Sequence, residues 1–113
     1  MTTKVRCSHI LVKHNAVRNP RSWRQDNVTR TKDEALEILK GYRAQITSGE
    51  KQFVDIAKEF SDCSSAKRGG DLGFFGRGEM HLPFEQASFA LKVGQISEVC
   101  DTSSGVHIIL RVA

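Results

Sequence analysis

KVRCSHILVKH, residues 4–14, alternates its side chains with the period of a β-strand: Val5, Cys7, His9, Leu11 and Lys13 share one face, Arg6, Ser8, Ile10 and Val12 the other. GVHIILRVA, residues 105–113, does the same, with Val106, Ile108, Leu110 and Val112 on one side and His107, Ile109 and Arg111 on the other. Strands first and last with helical patterns between them argue for an α+β domain around a small, mostly antiparallel sheet. If the two terminal strands are neighbours, His9 and His107 lie side by side on one face.

Working inward, residues 15–30 follow neither period and hold Pro20, four arginines and the chain's one tryptophan, Trp23. Long loops of this kind in a small domain are commonly functional or mobile. Thr31 and Glu34 make a T-x-x-E pair, in which hydroxyl and carboxylate each satisfy an orphan N–H at a helix start. Ala35, Ile38, Leu39, Tyr42 and Ile46 recur at helical spacing, and Gly49 ends the helix. A shorter helix puts Phe53, Ile56, Ala57 and Phe60 on one face and delivers the turn Asp62-Cys63-Ser64-Ser65. Gly69-Gly70 precede a short strand, Asp71 to Gly76. Pro83 then takes a first helical position, with Phe84, Ala87 and Leu91 as the buried stripe of a helix ended by Gly94.

A chain of 113 residues needs only one core, so residues 1–113 read as a single domain. No stretch approaches the ~18 uncharged apolar residues of a membrane span, and the first residues lack a signal-peptide run. We therefore expect a soluble, monomeric protein of the cytoplasm or nucleus, with no membrane partner. Three cysteines, an odd number, then read as reduced thiols. The net charge of +4 is unevenly placed. Eight Lys or Arg against the single acid Asp26 give +7 from Lys4 to Lys32, while nine bases and twelve acids give −3 over residues 33–113. An anionic partner is expected at the first third of the chain.

FSDCSSAKRGGDLGFFGRGEMHLPF, residues 60–84, gathers a cysteine, five glycines and an apolar cluster. The glycine spacing matches neither phosphate-cradling loop motif, so the glycines read as turn formers and points of close backbone approach. Cys63 admits three readings: a nucleophile activated by a histidine, a small buried hydrophobe, or a metal ligand with Cys7, His9 and His107. The last lacks any close ligand pair beyond C-x-H, and neither a metal nor a cofactor is expected. Each histidine alone reads as a satisfied core residue; as a pair facing a cysteine turn they read as a site.

CSHILVKH (7–14), FSDCSSA (60–66), GGDLG (69–73), Met80 with Pro83-Phe84, and SGVHIIL (104–110) resemble, block by block and in order, the parvulin peptidyl-prolyl cis/trans isomerases. The segment from Lys13 to Thr31, with Trp23-Arg24-Gln25, is similar to the branch directed at phosphoserine- or phosphothreonine-proline bonds. The resemblance implies a four-stranded sheet wrapped by helices, the catalytic module without an accompanying WW domain, and phosphorylated Ser/Thr-Pro proteins as partners. It implies a catalytic floor of His9, Cys63, Thr102, Ser104 and His107, a proline pocket of Leu72, Met80 and Phe84, and a phosphate site at Lys13 and Arg18.

Two departures stand out. The branch carries two adjacent arginines before a proline where this chain has Arg18-Asn19-Pro20, so one guanidinium of the phosphate clamp is missing and Arg21 is its nearest replacement. His81 stands where the branch has glutamine. The rivals are an isomerase content with Glu or Asp before proline, and a module that only binds phosphopeptide or nucleic acid. A lone tryptophan beside Arg18, Arg21 and Arg24 is a poor platform for stacking successive bases, and no nucleic-acid partner is expected.

Overall fold

The computed structural model describes residues 3–113. Strand β1 (Lys4–Val12) is followed by helices α1 (Lys32–Thr47) and α2 (Phe53–Phe60), a 3₁₀ turn (Ser64–Arg68), strand β2 (Asp71–Gly76), helix α3 (Leu82–Ala90), and strands β3 (Cys100–Thr102) and β4 (Gly105–Arg111). The strands form one antiparallel sheet in the order β2-β1-β4-β3, so the first and last strands of the sequence lie at its centre. The expected α+β class and antiparallel sheet are the ones observed.

Both central strands are apolar on both sides because the sheet is covered on both. Ile10, Val12, Val106 and Ile108 face Leu39 of α1 and Ile56 of α2. Val5, Cys7 and Ile109, on the opposite face, pack with Phe75 of β2 and with Phe84 and Leu91, brought by α3 and its C-terminal end. Cys7 thus belongs to the core, and Cys100 joins it there.

The capping box forms as read: Thr31 Oγ1 accepts the Glu34 N–H at 3.1 Å, and Glu34 Oε1 accepts the Thr31 N–H at 2.9 Å. Other boundaries shift. Strand β1 ends at Val12, two residues early, because the Lys13 N–H leaves the ladder for a carboxylate, Asp62. Ile38 is exposed, and Leu36 packs beside Ala35 and Leu39 in its place, because the helix docks with its apolar stripe turned toward Leu36. Pro83 takes the second helical position, after Leu82, and α3 ends at Ala90 before Gly94. The Cys63 turn runs on into the 3₁₀ helix.

The loop of residues 13–31 is anchored rather than loose. Val17 and Val28 are buried, the Asn15 N–H donates to Arg30 O, the Val28 N–H to Pro20 O, and the Arg18 N–H to Ser103 O beside β4. Two buried valines supply the core contact that a purely polar loop lacks.

Candidate active site

The site forms where β1, β4 and the cysteine turn meet. In the β1/β4 register His9 lies opposite Ile109 and Leu11 opposite His107, which makes the two histidines diagonal neighbours on one face. Their Nδ1 atoms are 2.9 Å apart. Two N–H groups cannot face each other at that distance, so only one of these nitrogens carries a hydrogen. Phe84 of α3 presents its ring edgewise to both imidazoles, with centroids 5.4 Å from His9 and 5.2 Å from His107.

Behind His107, Thr102 Oγ1 lies 2.8 Å from Nε2 and accepts the Ser104 N–H at 3.1 Å. Thr102 pairs with Gly105 across the short β3/β4 turn, which is what aims its hydroxyl at the histidine. Burial, reinforced by the neighbouring His9 and His81, lowers the His107 pKa to about 3, so this ring is neutral at physiological pH. His9 Nε2 is buried with no hydrogen-bond partner in the protein.

The cysteine turn reaches these histidines because of Gly70. At φ +87° it passes so close to β1 that a Cβ there would lie 2.4 Å from the His9 carbonyl oxygen, and its own carbonyl accepts the His9 N–H at 2.9 Å. Cys63, half-buried, caps the 3₁₀ helix, its sulfur accepting the Ser65 N–H at 3.5 Å. Burial alone would raise this thiol; the His9 ring and the Ser65 N–H outweigh it and bring the pKa down to about 6.

Two adjoining cavities open above this floor. The smaller, about 160 Å³, is lined by Leu72, Met80, Phe84, His81 and both site histidines. It is below the ~300 Å³ typical of a whole small-molecule site and suits a single side chain. The larger, about 460 Å³, is lined by Lys13, Arg18, Asn19, Ser22, Trp23 and Asp62. Leu11, Cys63 and Ser104 belong to both. Every sequence-predicted site residue except Thr102 lines one cavity or the other, and Thr102 lies directly behind. Arg21 takes part only through its carbonyl, which accepts from Lys13 Nζ at 2.6 Å. With Asn19 O at 3.1 Å, two of the three ammonium hydrogens of Lys13 are engaged and one remains for an anion.

Sequence reading missed Asp62. Its carboxylate, with a side chain only 1% exposed, accepts from the Lys13 N–H and from Ser22 Oγ, each at 2.9 Å, and pairs with Arg30 at 3.3 Å and Arg24 at 3.8 Å. The Trp23 indole donates to the carbonyls flanking it, Ser61 O at 2.8 Å and Cys63 O at 3.1 Å. A lone acid beside a loop of arginines was the signal available. Among the described residues no group of three or more His, Cys, Asp or Glu side chains converges as metal ligands.

Residues 9–113 match the family described as "Rotamase: PPIC-type PPIASE domain". The chain is 56% identical over 110 residues to dodo of Drosophila melanogaster, named as a peptidyl-prolyl cis-trans isomerase, covering 97% of this chain and 66% of that one. It is 54% identical over 114 residues to the peptidyl-prolyl cis-trans isomerase Pin1 of Arabidopsis thaliana, covering 97% and 96%. Among solved structures it is similar to the peptidyl-prolyl isomerase ESS1 of Candida albicans, with a TM-score of 0.97 and 49% identity over 98% of this chain and 63% of that one. The chain thus spans about two thirds of some relatives and nearly all of others.

Proposed function

The chain belongs to the PPIC-type, or parvulin, peptidyl-prolyl cis/trans isomerases, and on that premise we propose that it rotates the peptide bond before proline when the preceding residue is a phosphorylated serine or threonine. The observation that carries this reading is the pair of joined cavities, one apolar and ring-sized, the other holding Lys13 and Arg18, with Cys63 between them. In this assignment Leu72, Met80 and Phe84 grip the proline ring while Lys13 and Arg18 hold the phosphate. The amide then spans the seam at Cys63 and Ser104, above His9, His107 and Thr102. Phosphorylated proteins are the partners this implies.

Rotation requires the amide to lose its resonance, a barrier of roughly 18–20 kcal/mol. Lowering it by about 5 kcal/mol speeds the step by nearly four powers of ten. Anchoring the two sides of the bond in separate cavities lets binding energy favour the twisted amide over either planar form. A planar amide carries more negative charge on oxygen than a twisted one. An ionised Cys63 beside that oxygen therefore disfavours the planar form, and the dry floor withholds the water that would solvate it. No covalent bond forms. The neutral His107, fixed by Thr102, stiffens the floor.

Asn19 in the phosphate cavity leaves one guanidinium where a forked pair would grip a dianion. Discrimination between phosphoserine and glutamate before proline is correspondingly modest. The test is cis/trans exchange of matched phosphoSer-Pro, Glu-Pro and Ser-Pro peptides measured by NMR. Acceleration in the order phosphoserine, glutamate, serine supports the proposal. Equal acceleration of all three removes the phosphate role, and binding without acceleration leaves a recognition module.

A further inference from the structure

A third cavity, about 360 Å³, adjoins the phosphate cavity and is lined by Trp23, Lys58, Ser64 and Lys67. It shares Trp23 and Ser64 with the phosphate cavity and no residue with the proline pocket, so it borders the former and not the latter. Trp23 is 57% exposed, yet its indole nitrogen is held by two backbone carbonyls, which makes the ring a fixed platform rather than a mobile side chain. Lys58 of α2 and Lys67 of the 3₁₀ helix flank it, and among the described residues neither ammonium is in an ion pair. An exposed apolar ring between two uncommitted cations is complementary to a peptide bearing negative charge.

We propose that this cavity is a substrate subsite for the residues preceding the phosphorylated one, selecting a carboxylate or a second phosphate there. The inference rests on the assignment of proline and phosphate above. With proline in the first cavity and its phosphorylated neighbour in the second, the chain continuing toward its N-terminus enters the third. Lys58 and Lys67 then meet its anionic side chains while Trp23 packs against their stems. The chain is thereby selective for acidic or multiply phosphorylated stretches, which compensates in part for the single guanidinium of the phosphate cavity.

The experiment uses phosphoSer-Pro peptides whose two preceding residues are Ala-Ala, Glu-Glu or phosphoSer-Ala, plus a control with Glu-Glu after the proline. Two partly solvated charge contacts of about 0.5 kcal/mol each correspond to about a fivefold gain in kcat/KM for upstream Glu-Glu over Ala-Ala, more for upstream phosphoserine. In the double variant K58A/K67A that ratio falls toward one. Trp23, the only tryptophan, reports occupancy directly, so its fluorescence shifts with the upstream acidic peptides and not with the downstream control. Turnover of the Ala-Ala phosphopeptide with no gain from upstream acids overturns the subsite while sparing the phosphate assignment. So does an equal gain from acids on either side, which a diffuse positive field would produce, or a ratio that survives the double substitution. Failure of every phosphopeptide to be isomerised by folded protein overturns the assignment beneath it as well.

Discussion

Asp62→Ala is the substitution that most directly tests how this protein holds its basic loop. The carboxylate accepts the Lys13 N–H and the Ser22 hydroxyl, both at 2.9 Å, and faces Arg30 and Arg24. A hydrogen bond to a charged, buried acceptor contributes about 1.5–3 kcal/mol, and the Lys13 N–H is left with no partner, so it dominates. Ser22 can turn toward solvent and costs ~1 kcal/mol. The arginines are 19% and 29% exposed, and Arg30 keeps Lys13 O at 2.9 Å and Gln25 Oε1 at 3.0 Å. Solvent therefore screens most of their loss, which adds ~0.5 kcal/mol. These losses overlap, giving about 3 kcal/mol for Asp62→Ala. Asp62→Asn keeps a neutral acceptor and is expected to lose about half as much. Urea unfolding followed by Trp23 fluorescence reads both, with a lowered midpoint at unchanged slope. A loss under ~1 kcal/mol for Asp62→Ala would refute the reasoning, because the Lys13 N–H would then have found another partner at little cost.

Three further outcomes are expected. Cys63, with its pKa at about 6, should alkylate at a rate that levels off above pH 7, whereas Cys7 and Cys100, pushed up by burial, should react only on unfolding; mass spectrometry across pH separates them, and a Cys63 profile still climbing at pH 9 contradicts the lowered thiol. His107 stays neutral in the fold until about pH 3. Its unfolded counterpart takes up a proton near ~6.5, so stability present above that pH is lost on acidification, by up to about 1.4 kcal/mol per unit; a flat denaturation midpoint between pH 6.5 and 5 would show His107 to be charged. Gly70→Ala drives a Cβ against His9 O at positive φ, with a loss of ~3 kcal/mol or more and of isomerase activity, whereas Gly73→Ala, also at positive φ but in open space, loses only ~1 kcal/mol; thermal melts that rank the two equally would deny Gly70 its positioning role.

The two central strands were legible because alternation has a fixed period and both were read onto the correct faces; that His9 and His107 share a face follows from parity once the strands are neighbours, whereas their diagonal meeting is set by the β1/β4 register, which alternation does not encode. The capping box was equally plain, since two side chains three residues apart settle it locally. Strand β3 was not, because Cys100–Thr102 is too short to show a period and exists only as an edge to β4. Ile38 illustrates the converse: its spacing is helical, but which side chains of a helix meet the sheet depends on docking angle, which no single segment encodes. The catalytic floor was named from family resemblance; composition and spacing alone left Cys63 with three readings. Asp62 escaped notice because its importance lies in four partners spread from Lys13 to Arg30, a convergence that only the folded loop creates.

Pairing the first strand with the last has a consequence for the way the molecule comes into being. Residues 7–12 find their ladder partners at residues 106–111, nearly the whole chain away. On the ribosome, a nascent chain can form α1 and α2 early, but it has no centre for its sheet until β4 leaves the exit tunnel. Contacts of such sequence separation pay their loop-closure entropy before they return any stability, which places the domain among slower folders for its size. The His9–His107 contact belongs to that last step. Truncated products ending before β4 are therefore inactive and expose the apolar faces of β1, which makes them natural clients of chaperones and proteases.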